Sequence, residues 1–160
     1  MEILTVCEEQ GQLLLSFIFG LDEDKSEYRI RELRISSLEE TLLKLQQKLE
    51  KYIIKFKKKK RREIRKSAVQ NVEQLSNELD DTSFEIYVLD NQGDRIDDTS
   101  EVTNEDIWVP GTVLAFSFGK VVQKFGFKSL NPPRIKVLKL PEYLMLGYML
   151  YPKLNIENGC

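Results

Sequence analysis

The 160-residue sequence predicts an α+β fold, and three observations carry that expectation. Residues 12–20 form a near-continuous apolar run, followed by a polar turn and a stretch in which Tyr28 and Ile30 alternate with Arg29 and Arg31. An amphipathic helix with a marked start then occupies the middle of the chain. Alternating segments return at 84–89, 113–118 and 121–127. Strands gathered before and after one long helical region fit an α+β layering better than a βαβ repeat. A two-strand hairpin crossed by a helix and completed by later strands is the ubiquitin-like β-grasp plan, a mixed sheet, and that is the expected architecture.

Each element has a local reason. The run at 12–20 reads as a central strand buried on both faces, and the Tyr28 stretch as a strand with one wet face. Ser37-Leu38-Glu39-Glu40 matches a capping box, with the Ser37 hydroxyl accepting from the Glu40 amide. Leu38, Leu42, Leu45, Leu49, Ile53 and Phe56 recur at steps of four and three, one helical stripe for packing on the sheet. Six consecutive cations, Lys57 to Arg62, then interrupt the stripe, which resumes more weakly through Ile64, Ala68, Val72, Leu75 and Leu79. One long helix and two helices around a basic joint are both compatible with residues 37–80. Phe84 to Leu89 alternates as a strand, and Asp90-Asn91-Gln92-Gly93-Asp94 is a turn. Ile107-Trp108-Val109-Pro110-Gly111-Thr112 leads into the strand from Val113, and Gly119-Lys120 is a two-residue hairpin turn into Val121–Phe127.

Composition narrows the chemistry. The chain contains no histidine, which excludes Ser-His and Cys-His nucleophile pairs, an imidazole base and His metal ligands. Cys7 and Cys160 are too far apart in sequence for a CxxC or zinc pattern. A binding or accessory domain is the expected class. The formal net charge of −2 hides an asymmetry: Lys44–Lys66 holds twelve of the 24 basic side chains against only Glu50 and Glu63, a local balance of +10. The remaining 137 residues carry twelve basic and twenty-four acidic side chains, a balance of −12. The longest apolar stretch, Leu13 to Phe19, is far short of the ~20 residues of a membrane span, and Met1-Glu2-Ile3 lacks the basic character of a leader. A soluble intracellular protein without a membrane partner is expected.

Three regions compete as sites. Lys57, Lys58, Lys59, Lys60, Arg61, Arg62, Arg65 and Lys66 offer a salt-sensitive, sequence-independent attraction for RNA phosphates; the same run also reads as a solvated linker or a nuclear-localisation patch. Trp108, Phe116, Phe118, Phe125 and Phe127 alternate on strands and would stack bases if exposed. A core role is the favoured reading for them. The acids Asp90, Asp94, Asp97, Asp98, Glu101, Glu105 and Asp106 do not follow calcium-loop spacing and read as a solvated loop. No metal site and no catalytic residue is expected in this chain.

The last thirty residues read as an extension, so the expected division is an accessory domain at 1–130 and a linker at 131–160. Asn131-Pro132-Pro133 breaks the pattern, 134–140 alternates, and 141–152 is very apolar. Asn131-Pro132-Pro133, then Leu140-Pro141-Glu142-Tyr143-Leu144-Met145-Leu146-Gly147-Tyr148 and Pro152-Lys153-Leu154, resemble the junction ahead of the catalytic domain in the 2′,5′-phosphodiesterase family. More loosely, the likeness takes in Leu15-Ser16-Phe17, the Leu- and Lys-rich helix, Asp106-Ile107-Trp108 to Leu114, and Gly119. Family members degrade 2′-5′-linked oligoadenylates and remove poly(A) tails from mitochondrial transcripts, using a Mg²⁺-dependent catalytic domain that has no counterpart in these residues. The resemblance implies a non-catalytic N-terminal domain of an exoribonuclease, with Mg²⁺ belonging to the catalytic domain. It implies docking to that domain in cis through Leu140, Pro141, Tyr143, Met145, Gly147, Tyr148, Pro152 and Leu154. It also implies poly(A) or 2′-5′ oligoadenylate RNA as a partner, and the mitochondrial matrix as location; without a presequence the cytoplasm is the other expectation. A ubiquitin-like protein-interaction module with an incidental basic run is the competing class.

Overall fold

The structure is a computed structural model that describes residues 1–67 and 69–127. The expected docking residues at 140–154, and the linker boundary at 131, lie outside the described residues. Strands β1 (Glu2–Glu9), β2 (Gln12–Phe19) and β3 (Ser26–Leu33) precede helices α1 (Leu38–Lys66) and α2 (Val72–Asp81). After them come β4 (Phe84–Leu89), a 3-10 turn at Thr99–Glu101, the one-turn helix α3 (Asn104–Ile107), β5 (Val113–Phe118) and β6 (Val121–Phe127). The α+β class is therefore observed.

The sheet order is β3-β2-β1-β6-β5-β4. Two antiparallel three-strand meanders meet at one parallel pair, β1 with β6, in which Ile3 lies opposite Gly126. The two-strand hairpin expected at the start is thus three strands. The missing member is β1, joined to β2 through Gln10 (φ 52) and Gly11 (φ 78), two successive positive-φ residues of the kind that matches the strand twist. Gly119, at φ 63, makes the two-residue β5–β6 turn, with Phe118 opposite Val121.

Period two sorts the side chains. Leu13, Leu15, Phe17 and Phe19 of β2 point to the helix side with Leu4, Ile30, Val88, Leu114, Phe116 and Phe125, and all are buried. Helix α1 lays Leu38, Leu45, Leu49 and Ile53 onto them, each contributing about 1.5–3 kcal/mol by leaving water. The expected capping serine is in place: the Glu40 amide donates to Ser37 Oγ at 3.3 Å. Glu32, facing the core side of β3 and 3% exposed, is compensated by the half-exposed Lys44 ammonium of α1, which ties helix to sheet.

Asn104 sets where α1 begins. Its Oδ1 accepts from Thr41 Oγ1 (2.9 Å) and Trp108 Nε1 (3.1 Å), and its Nδ2 donates to the carbonyls of Leu33 (3.3 Å) and Ser36 (3.2 Å). One fully buried amide therefore joins the end of β3, the start of α1 and the turn before β5.

The choice between one helix and two is resolved by position. Helix α1 runs unbroken through the six cations and ends at Ser67, whose Oγ donates to the Ile64 carbonyl at 2.6 Å. After the break, α2 folds back so that Leu75 and Leu79 face a shallow groove with Phe56 and Ile64. None of its residues is buried. Among the described residues, no helix is long and apolar enough to cross a membrane.

Candidate nucleic-acid interface

The basic run is helical because much of its charge is already met. Lys57 Nζ donates to the carbonyls of Asp80 (3.1 Å) and Thr82 (2.8 Å), serving the C-terminal end of α2. Arg61 pairs with the Asp80 carboxylate. Lys60 pairs with Glu63 at 3.3 Å and lies 5.4 Å from the Phe56 ring centroid. Lys59 reaches Asp24 (3.0 Å) and Asp22 (3.3 Å) in the β2–β3 loop. Four of the eight candidate cations are thus already engaged, Lys57, Lys59 and Arg61 with other elements and Lys60 within α1, and Lys58, Arg62, Arg65 and Lys66 have no ion pair among the described residues.

Those four belong to a longer feature. Lys48, Lys51 and Lys55 are likewise exposed and unpaired among the described residues. At 100° per residue, Lys48, Lys51, Lys55, Lys58, Arg62, Arg65 and Lys66 fall within an arc of about 100°. From Lys48 to Arg65 they follow one another at steps of three and four, with Lys66 directly after, on the flank turned away from Leu45 and Leu49. The stripe is about 27 Å long at 1.5 Å per residue. It can meet several consecutive phosphates at once, the arrangement that makes binding salt-dependent and indifferent to base sequence. The sequence reading stopped at Lys57 and so missed its first half.

Beside this stripe lies a pocket of about 430 Å³ between α1, the β2–β3 loop and the start of β3. Lys48, Lys51 and Lys55 form one wall, Tyr28, Tyr52 and Phe56 supply aromatic surface, and Asp22, Asp24 and Lys59 close one end. Tyr52 and Phe56 stack at 6.2 Å with planes 17° apart. The Tyr52 hydroxyl accepts from the Leu21 amide at 2.6 Å, which fixes the ring against the loop. Burial pushes both tyrosine hydroxyls above their ordinary pKa, so they stay neutral at physiological pH.

The acid–lysine closure is pH-sensitive. The Asp24 amide bonded to its carboxylate holds Asp22 below its ordinary pKa, with Lys59 adding to the effect. The Asp24 and Asp22 carboxylates raise Lys59 in turn. A depressed carboxyl contributes stability that is present above its unfolded-state pKa and lost as pH falls through the folded value. The loop is therefore expected to stay clamped to α1 at neutral pH and to loosen below the ordinary carboxylate range. Amide exchange at Asp24 and Lys25 measured from pH 7 downward checks this; protection unchanged at the acid end would remove the clamp.

The aromatic row is core. Trp108, Phe116, Phe118 and Phe125 are buried and Phe127 is partly buried against them, so they present no stacking platform. The acidic loop serves its own turns: Asp90 Oδ1 accepts from the amides of Gln92 and Asp94, and Asp98 Oδ1 from the Ser100 hydroxyl. Among the described residues, no three His, Cys, Asp or Glu side chains come together to hold a metal.

Fold and site together describe a small α+β domain with one cationic helical face. No protein-family model matches the chain. Over 59 residues, 37% of its length, it is 41% identical to 2′,5′-phosphodiesterase 12 of Mus musculus, and matches the proteins of that name from Bos taurus and Homo sapiens equally well. The match spans 9% of those relatives' own length.

Proposed function

We propose that this chain is a non-catalytic N-terminal domain of a 2′,5′-phosphodiesterase-like exoribonuclease acting on oligoadenylate or poly(A), and that it holds RNA on the outer flank of α1. The observation that carries the reading is the stripe of seven exposed cations on one helical face, none of them in an ion pair among the described residues. The 41% identity over 59 residues to proteins named 2′,5′-phosphodiesterase 12 supports the enzyme class. The parallel β1–β6 pair beneath a crossing helix supports a β-grasp relationship, enlarged by one strand in each half. In this proposal the 140–154 segment docks to the catalytic domain in cis. Mg²⁺ acts in that catalytic domain, and the full-length enzyme works in the mitochondrial matrix.

The test separates binding cations from structural ones. Oligoadenylate affinity is expected to fall with salt, with a log–log slope of about −0.7 per phosphate met. Replacing Lys58, Arg62 and Arg65 together by alanine should flatten that slope by about 2 and weaken binding at least tenfold near 50 mM salt. Lys57→Ala should instead lower stability by loosening α2, with the slope kept. Fluorescence anisotropy across a salt series reads both; an unchanged slope in the triple variant defeats the RNA-holding role.

A second reading has its own observation. Ile3 (51% exposed), Ile18 (55%) and Val122 (48%) sit on neighbouring strands of the sheet's outer face, a surface suited to a protein partner. Salt-resistant capture of one protein, abolished by Ile18→Glu and accompanied by no RNA binding, would favour that module over the RNA-holding domain.

A further inference from the structure

We propose that the pocket between α1 and the β2–β3 loop is a binding site for one nucleoside phosphate, the place where a single nucleotide leaves the helical stripe and is held by its base as well as its phosphate. The inference rests on the reading of α1 as an RNA face but goes beyond it, because a charged stripe alone explains backbone attraction and not a cavity.

Size comes first: about 430 Å³ is within the range of pockets that enclose a small ligand. The lining carries both chemistries of a nucleotide, with the lysines, Tyr52 and Phe56 on α1 and Tyr28 across from them on β3. Lys48, Lys51 and Lys55 are exposed, lie at steps of three and four on consecutive turns, and spend no charge on any acid among the described residues. Their ammonium groups are free for phosphate oxygens. Tyr28, Tyr52 and Phe56 offer flat, uncharged surface to a base, and base–aromatic stacking contributes about 1–3 kcal/mol. Tyr52 is pre-set for this by the Leu21 amide on its hydroxyl, so little side-chain freedom remains to be lost on binding.

The acids give the site direction. Asp22 and Asp24 close the Lys59 end, where that lysine is already committed to them. A phosphate is repelled there and drawn to the Lys48–Lys51 end, while the ring lies towards the loop. A bare anion site would have no use for the aromatic surface, and an apolar groove would not be lined by three lysines that have no ion pair among the described residues.

Adenosine 5′-monophosphate is the probe, with adenosine and inorganic phosphate as the two half-ligands, titrated into the full chain and followed by NMR. The monophosphate should shift Tyr28, Lys51, Tyr52 and Lys55 signals and bind at least tenfold more tightly than either half. Because Lys51 and Lys55 are exposed, replacing both by glutamine should leave the fold intact and weaken the monophosphate about tenfold. Equal affinity for inorganic phosphate, or no loss in the double variant, overturns the pocket. Oligoadenylate should displace the monophosphate from the same signals. If oligoadenylate binds with the expected salt slope while the monophosphate shifts nothing, the pocket fails and the RNA face stands. Pocket shifts without oligoadenylate binding have the opposite meaning: the site takes free nucleotides, and the RNA face fails.

Discussion

Asn104→Ala is expected to destabilise the domain by about 3–5 kcal/mol, more than any surface change on α1. The side chain is fully buried and makes four hydrogen bonds, to Thr41 Oγ1, Trp108 Nε1 and the carbonyls of Leu33 and Ser36. Truncation removes them all at once. The Ser36 carbonyl keeps the Asn104 backbone amide at 2.9 Å, so it is not orphaned. The Trp108 indole N–H and the Thr41 hydroxyl lose their acceptor in a buried site, at about 1–3 kcal/mol each, and a small cavity adds to the loss. Asn104→Asp should also be costly, since it keeps the acceptors but removes both donors and buries a charge. Urea denaturation measures the effect as a lowered midpoint at constant slope. A cost below 1 kcal/mol would mean that the network does not position α1. The consequence reaches the proposed RNA face, because this junction decides the direction in which the basic helix leaves the sheet.

How far the sequence could see follows from the range of each interaction. The start of α1 was legible because Ser37 and its partner amide are three residues apart. The Gly119 turn and the alternating strands were legible for the same reason. Strand β1 was not read, although Leu4 and Val6 alternate with Ile3 and Thr5, because the following Gln10-Gly11 is a weaker hairpin signal than Asn-Gly. The fate of the basic run depended on acids distant in sequence: Asp22 and Asp24 come to Lys59 across 37 and 35 residues, and Asp80 to Arg61 across 19. No local pattern tells Lys58, which has no ion pair among the described residues, from Lys57, which serves α2. The lysine wall of the pocket was in principle visible at 48, 51 and 55, at helical spacing on either side of Tyr52. Its opposite wall, Tyr28 and the β2–β3 loop, exists only once β3 is packed beside α1.

Phe116→Ala is the sharpest test of whether the aromatic row is core or a base-stacking surface, the choice that composition alone leaves to argument. In the structure Phe116 is 2% exposed and touches four other rings. Phe19 lies at 5.0 Å between centroids, Phe17 and Phe125 at 5.4 Å, and Phe84 at 6.1 Å with planes 10° apart. It is where the two meanders and the parallel β1–β6 seam converge, so collapse around a smaller side chain is hindered from several sides. A cost of about 3–5 kcal/mol is expected, from lost transfer energy plus the residual cavity. Phe116→Leu, which keeps most of the volume, should cost less and keep the fold measurable if the alanine variant unfolds. The diagnostic is the pairing of two readouts. A core ring lowers the denaturation midpoint of the leucine variant while its oligoadenylate affinity and salt slope, read well below that midpoint, stay those of the parent. Weakened RNA binding at unchanged stability would reverse the assignment and move the proposed RNA contact from the flank of α1 to the strands.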